Sequence, residues 1–367
     1  MAGLSRSAPS APKLKVRARK DGAAIDLDEV DKKLMNVLQS GFPLVREPFA
    51  VMAGEVGISL SETLQRTNRL LENRIIREIT PIFDTRALGY SSMLVAAKVD
   101  AENPQRAAAV VNAHPGVSHN YLRNHDFNLW FTIATPPDSK LGLELSLERL
   151  MEEAGAESMR QLPTLTLFKI NMNLEMEGGT DALSATVEAV PPREIEPQPY
   201  DETDIAVIKA LQGPMAAVPY PYDAAAEEVG MDVDEFLAHL EGMKERHLLR
   251  RVAAILFHRR AGFSANGMGV WRVPEADIDT VGRRMASFRG ISHCYQRPTY
   301  EDWPYSVFTM AHGRNKEECD AILDAIADDC GMGPDDRATL YSSTEYKKIR
   351  LRYFTDDYRL WEEQHGA

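Results

Sequence analysis

The sequence lacks the features that mark several large classes of protein. Its three cysteines, Cys294, Cys319 and Cys330, contain no Cys-x-x-Cys pair, which excludes a disulfide framework or a zinc signature and favours a reducing, cytoplasmic compartment. No apolar run approaches the ~20 residues of a membrane span. The G-x-S-x-G, H-E-x-x-H, G-x-G-x-x-G and P-loop patterns are also missing. Hydride transfer, phosphoryl transfer and zinc hydrolysis therefore have no support.

Positive charge is in deficit over the whole chain. The 367 residues carry 42 Lys and Arg against 55 Asp and Glu, a net charge of −13. This balance argues against a main role on nucleic acid, yet it leaves room for a local basic pocket that binds a polyanionic small molecule. Residues 1–20 are basic and contain no acid. We predict a disordered basic tail there, and a transit peptide is the alternative.

The sequence contains an internal repeat with an offset of roughly 173 residues, far longer than a solenoid period of about 20–50. The matching segments are Asp31–Gln39 with Asp204–Gln212, Pro48–Gly57 with Pro221–Gly230, Ile75–Ile79 with Leu248–Val252, and Ser118–Arg123 with Ser292–Arg297. The last pair shares the pattern Ser-His-x-Tyr-x-Arg. Two like halves on one linker predict a pseudo-dimer within one chain, and they leave open whether that pseudo-dimer pairs again.

Each half shows the same order of predicted elements. Three short amphipathic helices and a strand indicate a winged helix-turn-helix, and the following β-α-β-β-α-β order indicates a ferredoxin-like sheet. The predicted fold class is therefore α+β, in tandem. The predicted units are a tail (1–24), a winged helix-turn-helix (25–82), a ferredoxin-like domain (83–176), a linker (177–200), a second winged helix-turn-helix (201–255), a second ferredoxin-like domain (256–356) and a C-terminal tail (357–367).

This layout resembles the Lrp/AsnC regulators, whose third helix reads DNA. The N-terminal third helix offers Arg66 and Arg69 for that purpose. Its C-terminal counterpart carries mostly acids: Asp232, Asp234, Glu235, Glu241 and Glu245. Because a two-fold reader must engage both half-sites, we expect no DNA partner and a structural role for these helices.

Three segments of the C-terminal half, 250–268, 291–310 and 341–350, concentrate Arg, Lys, His and aromatic residues. Guanidinium groups suit carboxylates, and Trp, Tyr and Met would suit a flat apolar ring. Plainer roles are open as well: Arg250, Arg251 and His258 could lie on the surface, Tyr295 and Trp303 in the core, and His312 at a strand end. Lys347, Lys348 and Arg350 lie along a predicted strand, and one face of that strand could simply be exposed to solvent.

The same residues resemble the siroheme decarboxylases. The C-terminal half has the B-type subunit patterns His-Arg-x-Ala-Gly-Phe, Ser-His-Cys-Tyr-x-Arg-Pro, Trp-Pro-Tyr, Phe-Thr-Met-x-His-Gly and Ser-x-x-Glu-Tyr-Lys-Lys. The N-terminal half is similar to the A-type subunit through Ser118–Arg123 and Asn128–Thr132. The resemblance implies loss of carbon dioxide from the C12 and C18 acetates of siroheme, giving 12,18-didecarboxysiroheme for haem or haem d1 synthesis. It implies no cofactor, since the iron arrives with the substrate.

The resemblance also implies roles for individual residues. We expect His293 or His258 to be the proton donor or an axial ligand of the substrate iron, with Tyr295 orienting the donor. The expected substrate-binding residues are Arg259, Arg260, Arg297, Lys347, Trp303, His119 and Arg123.

The N-terminal half departs from the pattern, because Asp84-Thr-Arg86 stands where the other half has His258-Arg-Arg260. We expect one catalytic pocket per chain, in the C-terminal half, with the N-terminal half in a supporting role. The alternative is that each half decarboxylates one of the two acetates. The rival functions are a tetrapyrrole-sensing regulator and a non-catalytic tetrapyrrole carrier.

Overall fold

A computed structural model describes residues 15–16, 25–170, 196–257 and 265–366. Most of the predicted basic tail and of the predicted linker lies outside these ranges. Among the described residues, no helix combines the length and apolarity needed to cross a bilayer.

The N-terminal half contains a helix-turn-helix followed by a ferredoxin-like domain. Its elements are β1 (Lys15–Val16), β2 (Ile25–Asp26), α1 (Glu29–Ser40), α2 (Pro48–Val56), α3 (Leu60–Glu72), β3 (Ile76–Phe83), β4 (Ser91–Lys98), α4 (Pro104–Ala113), β5 (Val117–Arg123), β6 (Leu129–Thr135), α5 (Gly142–Ala154), β7 (Ser158–Leu162) and β8 (Thr166–Ile170).

The C-terminal half repeats this order. Its elements are α6 (Glu202–Leu211), α7 (Asp223–Val229), α8 (Val233–Glu245), β9 (Leu249–Leu256), β10 (Ala265–Trp271), α9 (Ile278–Ala286), β11 (Ile291–Gln296), β12 (Val307–Gly313), α10 (Lys316–Cys330), β13 (Arg337–Lys348) and α11 (Asp356–His365). The predicted α+β tandem fold is confirmed.

The first helix of each helix-turn-helix begins with the same local device. Asp28 and Asp31 form a capping box at α1, and Asp201 and Asp204 form one at α6. Each pair satisfies two backbone N–H groups that a helix start would otherwise leave unbonded. The apolar faces of the two helix-turn-helix units then merge into one core, and β3 pairs antiparallel with β9 between them.

Arg66 and Arg69, the side chains that the sequence offered for DNA, are held inside their own domain. Arg66 forms ion pairs of 2.8 Å with Asp28 and 2.9 Å with Asp31, and Arg69 lies 2.5 Å from Asp31. Asp31 is fully buried, so these cations compensate a carboxylate that would be costly alone. The pairs support the structural role that the sequence predicted for these helices.

The two ferredoxin-like domains share one nine-stranded sheet in the order β7-β4-β6-β5-β13-β10-β12-β11-β8. Strand β13 pairs with β10 through residues 337–341 and continues along β5 through residues 342–348. Strand β8 of the first half pairs with β11 of the second. Each half therefore lends a strand to the other, which confirms the pseudo-dimer.

The predicted C-terminal tail at 357–367 is wrong in its main part, because α11 covers most of it. Trp361 and Tyr358 are buried, and the Trp361 ring lies 4.3 Å from the ring of His114 in the other half. Glu362 accepts hydrogen bonds from Ser139 Oγ at 2.6 Å and from the backbone N–H of Leu141 at 3.0 Å. Helix α11 is therefore a clamp from the C-terminal half onto the N-terminal half.

We expect Trp361→Ala to lower the free energy of unfolding by about 3–5 kcal/mol, because it empties the space under this clamp. The neighbouring Leu360 is 45% exposed, so Leu360→Ala is the control and should change stability by about 0.5 kcal/mol or less. Urea unfolding of the full chain measures both. Equal losses for the two variants would contradict a clamp.

Candidate active site

A cavity of about 2200 Å³ lies where the strands of both halves meet the β3–β9 pair. Ordinary small-molecule pockets measure about 300–1,000 Å³, so this one suits a large ligand. Its described lining holds three acids, Asp84, Glu196 and Glu345, against ten fixed cations. Those cations are Arg74, Arg77, Arg86, Arg123, Lys244, Arg250, Arg251, Arg297, Lys348 and Arg350. An acidic chain thus concentrates positive charge at one place, which favours a polyanion.

Two matching rows of side chains line this cavity. His293 and Tyr295 alternate on β11, and Arg297 follows its last residue at the same spacing, so that all three line the cavity. The His293 and Tyr295 rings stack with centroids 5.9 Å apart, and the Arg297 guanidinium lies 4.9 Å from the centre of the Tyr295 ring. His119, Tyr121 and Arg123 repeat the arrangement on β5. The corresponding distances there are 6.2 Å and 5.8 Å.

Arg297 is buried and Arg123 is half-buried, and each guanidinium donates a hydrogen bond to a backbone carbonyl oxygen. Arg123 Nη1 donates to the carbonyl of Leu340 at 3.1 Å, and Arg297 Nη1 donates to the carbonyl of Leu162. The Nε atom of each guanidinium is buried without a hydrogen-bond partner among the described residues. Burial lowers the pKa of each arginine to about 10. No carboxylate in the described part of the chain forms an ion pair with Arg123 or Arg297. Both guanidinium groups can therefore bind the anionic groups of a ligand.

A hydrogen-bonded chain of four side chains connects Asn266 to His293. Asn266 Oδ1 lies 2.8 Å from His312 Nδ1, and His312 Nε2 lies 2.6 Å from Ser292 Oγ. Ser292 Oγ lies 2.7 Å from His293 Nδ1. The N-terminal half has a shorter version.

In that half, Ser118 Oγ lies 3.0 Å from His119 Nδ1 and 2.8 Å from Thr132 Oγ1. The two halves therefore hold their cavity histidines differently.

His119 is neutral at neutral pH. Burial, with smaller contributions from Lys348 and Arg77, lowers its pKa to about 4 from the ordinary 6.5. The unfolded chain takes up this proton below pH 6.5, whereas the folded chain resists it until about pH 4. His119 therefore contributes stability above pH 6.5 that is lost as the pH falls.

We expect His119→Gln to flatten the decline in stability between pH 6.5 and pH 4 by about 1–3 kcal/mol. Thermal unfolding of the two proteins across this range measures the difference. Parallel curves would show that His119 titrates alike in the folded and unfolded states.

Two of the expected substrate-binding residues lie elsewhere. Lys347 turns away from the cavity: its Nζ donates to the carbonyls of Asn112 at 2.7 Å and His114 at 3.2 Å, at the end of α4. Lys169, its counterpart in the repeat, likewise donates to the carbonyl of Phe288 at 2.8 Å. This use in both halves marks a structural lysine. The adjacent Lys348 is the one that lines the cavity, since neighbours on a strand point to opposite faces.

Trp303 is the other correction. It is fully buried in an apolar cluster rather than in the cavity lining. Its ring packs 5.1 Å from the ring of His125 and 5.2 Å from that of Trp130.

The remaining sequence candidates divide into two groups. His293, Tyr295, Arg297, His119 and Arg123 all line the cavity. His258, Arg259 and Arg260 lie outside the described residues.

Arg77, Arg86 and Lys348 also line the cavity. The sequence assigned no role to Arg77 or Arg86, and it named Lys348 only as one cation of the basic segment 341–350. The internal repeat could have indicated Arg77, because Arg77 aligns with Arg250, which belongs to the basic segment 250–268. Arg250 itself is paired at 2.5 Å with the buried Asp84.

Family models match both halves of the chain. An AsnC-like ligand-binding domain matches residues 87–169 and 260–347. A siroheme decarboxylase NirDL-like helix-turn-helix domain matches residues 31–77 and 204–250.

Named relatives agree with these models. A siroheme decarboxylase of Hydrogenobacter thermophilus is 41% identical over 329 residues, 90% of this chain and 96% of that protein. A siroheme decarboxylase beta subunit of Methanosarcina barkeri is 37% identical over 41% of this chain and 99% of its own length. One such subunit thus has about the length of one half, as expected for a fused pair.

A solved structure has the same architecture. The crystal structure of siroheme decarboxylase NirDL in co-complex with an iron-uroporphyrin III analogue superimposes with a TM-score of 0.71 at 36% identity. The match covers 92% of this chain and 98% of that one. These likenesses support a carboxy-lyase and not the alternative of a regulator. The chain belongs to the siroheme decarboxylase family, with the domains of both subunits in one polypeptide.

Proposed function

We propose that this chain removes carbon dioxide from the C12 and C18 acetates of siroheme to give 12,18-didecarboxysiroheme, for haem or haem d1 synthesis. The observation that carries the proposal is the pair Arg123 and Arg297, which line one cavity and form no ion pair with a carboxylate of the described residues. A buried, unpaired cation is unfavourable in the empty protein and becomes favourable when an anionic ligand arrives.

Siroheme suits this cavity in charge and in shape. The macrocycle carries eight carboxylates, and the cavity lining offers cations from both halves. Tyr121 and Tyr295 provide aromatic surface between the histidines and the arginines. The related structure with an iron-uroporphyrin III analogue shows that its own protein accepts a macrocycle of this type. We extend that ligand class to this chain.

In the proposed reaction, Arg297 and its neighbours bind a carboxylate while His293 supplies the proton. The bond between the acetate methylene and its carboxyl carbon breaks, and carbon dioxide leaves. The electron pair that remains on the carbon takes a proton from His293 and completes a methyl group. Tyr295, stacked on His293 at 5.9 Å, restricts the orientation of the imidazole. No cofactor beyond the substrate iron enters this scheme, and an axial bond from His293 to that iron is the alternative role.

The two halves differ in a way that favours one proton donor. A histidine with a pKa near 4, such as His119, is almost entirely deprotonated at neutral pH and is a poor acid there. The longer hydrogen-bonded chain through His312 exists on the His293 side. We therefore propose that the N-terminal half binds the substrate and the C-terminal half protonates it.

Anaerobic incubation of the full chain with siroheme, without added cofactor, tests the function. Mass spectrometry should show the loss of two carbon dioxide units. Loss of a single unit would contradict double decarboxylation. Intact siroheme with a shifted absorption band would make the chain a carrier, and salt-dependent DNA binding would favour a regulator.

A further inference from the structure

We infer that Asn266, acting through His312 and Ser292, sets the tautomer of His293 and places its lone pair on Nε2. These three residues are positioning residues: they act on His293, and His293 acts on the substrate. The tautomer follows from these hydrogen bonds with a neutral His312, whereas its consequence for turnover rests on the proposed function.

The direction of each hydrogen bond follows from the first. Asn266 Oδ1 can only accept, so His312 Nδ1, 2.8 Å away, donates. A neutral imidazole that donates from Nδ1 accepts at Nε2, so the Ser292 hydroxyl donates to His312 across 2.6 Å. Ser292 has one proton, and it goes to His312 at 2.6 Å in preference to the carbonyl of Met310 at 3.4 Å.

The last bond of the chain is therefore determined. The contact of 2.7 Å between Ser292 Oγ and His293 Nδ1 requires a proton from the histidine. His293 carries its proton on Nδ1, and the lone pair lies on Nε2 of a ring that lines the cavity.

In the N-terminal half, nothing among the described hydrogen bonds fixes which group donates and which accepts. Ser118 lies between His119 Nδ1 and the Thr132 hydroxyl, and each hydroxyl can either donate or accept. The repeat places Ala134 where the other half has His312, and Ser92 where it has Asn266. Only the amide of Asn266 is restricted at its oxygen to accepting, so of His119 and His293 only His293 receives an assigned tautomer.

This tautomer has a consequence for the reaction. Before His293 can protonate the substrate carbon, a proton must reach Nε2 and convert the ring to an imidazolium. Its delivery to the carbon returns the ring to the neutral tautomer that Ser292 holds. The chain therefore stabilises the state of His293 that follows proton delivery, and it keeps the same nitrogen aimed at the substrate.

Nitrogen-15 NMR of the full chain, labelled at its nine histidines, tests the tautomer directly. The signals of His293 are identified by their loss in His293→Gln. We expect a protonated Nδ1 and an unprotonated Nε2 in the wild type, and a mixture of tautomers in His312→Leu. Ser118→Ala should alter the His119 signals and leave those of His293 in place. A wild-type His293 protonated on Nε2 alone would overturn the inference.

Turnover of siroheme tests the consequence. His312→Leu and Ser292→Ala should each lower kcat about 10–100-fold, the usual cost of removing a supporting hydrogen bond, with KM little changed. His312→Gln offers an amide oxygen to Ser292 and an N–H to Asn266, so it should recover most of the lost kcat. His365→Gln, on α11 outside the cavity lining, is the matched control.

The two kinds of failure can be distinguished. A wild type that leaves siroheme intact contradicts the proposed function, and the NMR result is unaffected. An active wild type in which His312→Leu and His312→Gln lose the same activity would show a merely structural His312 and overturn the positioning role.

Discussion

Replacing His293 with alanine is expected to reduce siroheme decarboxylation by about 10²–10⁴-fold while siroheme still binds. The variant removes the proposed proton donor, and general acid catalysis contributes on this scale. The cations that line the cavity remain in place, so affinity should change little. Single-turnover assays with mass spectrometry measure the chemistry, and absorption titration measures the binding.

Two variants control this experiment. His365→Ala removes a histidine outside the cavity lining and should retain full turnover. His119→Ala should raise KM more than it lowers kcat, because His119 is proposed to bind and not to protonate. A similar loss of kcat in His119→Ala and His293→Ala would instead assign one acetate to each half.

Replacing Arg297 with methionine is expected to weaken siroheme binding about 10- to 100-fold. A hydrogen bond to a charged group contributes roughly 1.5–3 kcal/mol, which corresponds to this range. Arg297 has only a backbone carbonyl as its hydrogen-bond acceptor among the described residues, so a substrate carboxylate would be its main anionic partner. Titration of the tetrapyrrole absorption band gives the Kd.

Arg314→Met is the matched control, since Arg314 is exposed and paired at 2.5 Å with Glu318. It should leave the Kd unchanged. Thermal unfolding provides a second readout: siroheme should raise the Tm of the control and of the wild type, and much less that of Arg297→Met. An unaltered Kd in Arg297→Met would remove the main support for the binding mode.

Local periodicity accounts for the part of the site that could be predicted. His293, Tyr295 and Arg297 recur at every second position, and a strand places such residues on one face wherever it lies. The repeat of this pattern at His119 indicated a second copy. The expected role of Lys347 came from the family resemblance and not from strand periodicity. The register shifts between Glu345 and Lys347, and a shift of one residue exchanges the two faces of a strand.

Residue type alone could not place Trp303. An indole suits a ligand wall and an apolar core equally well, and only its neighbours decide between them. His125 and Trp130 surround it, and both come from the other half of the sequence. The hydrogen-bonded chain to His293 was hidden for a similar reason, since Asn266, His312 and Ser292 lie on three different strands.

The sequence by itself determined the two halves, the helix-turn-helix and ferredoxin-like order, and the histidine, tyrosine and arginine rows, because all of these depend on contacts between near neighbours. Only the tertiary structure decided that β8 and β13 are exchanged between the halves and that α11 clamps one half to the other. It also decided that both rows face one cavity. These features join residues more than 100 positions apart, and no local pattern records which distant strand or helix a segment will pack against.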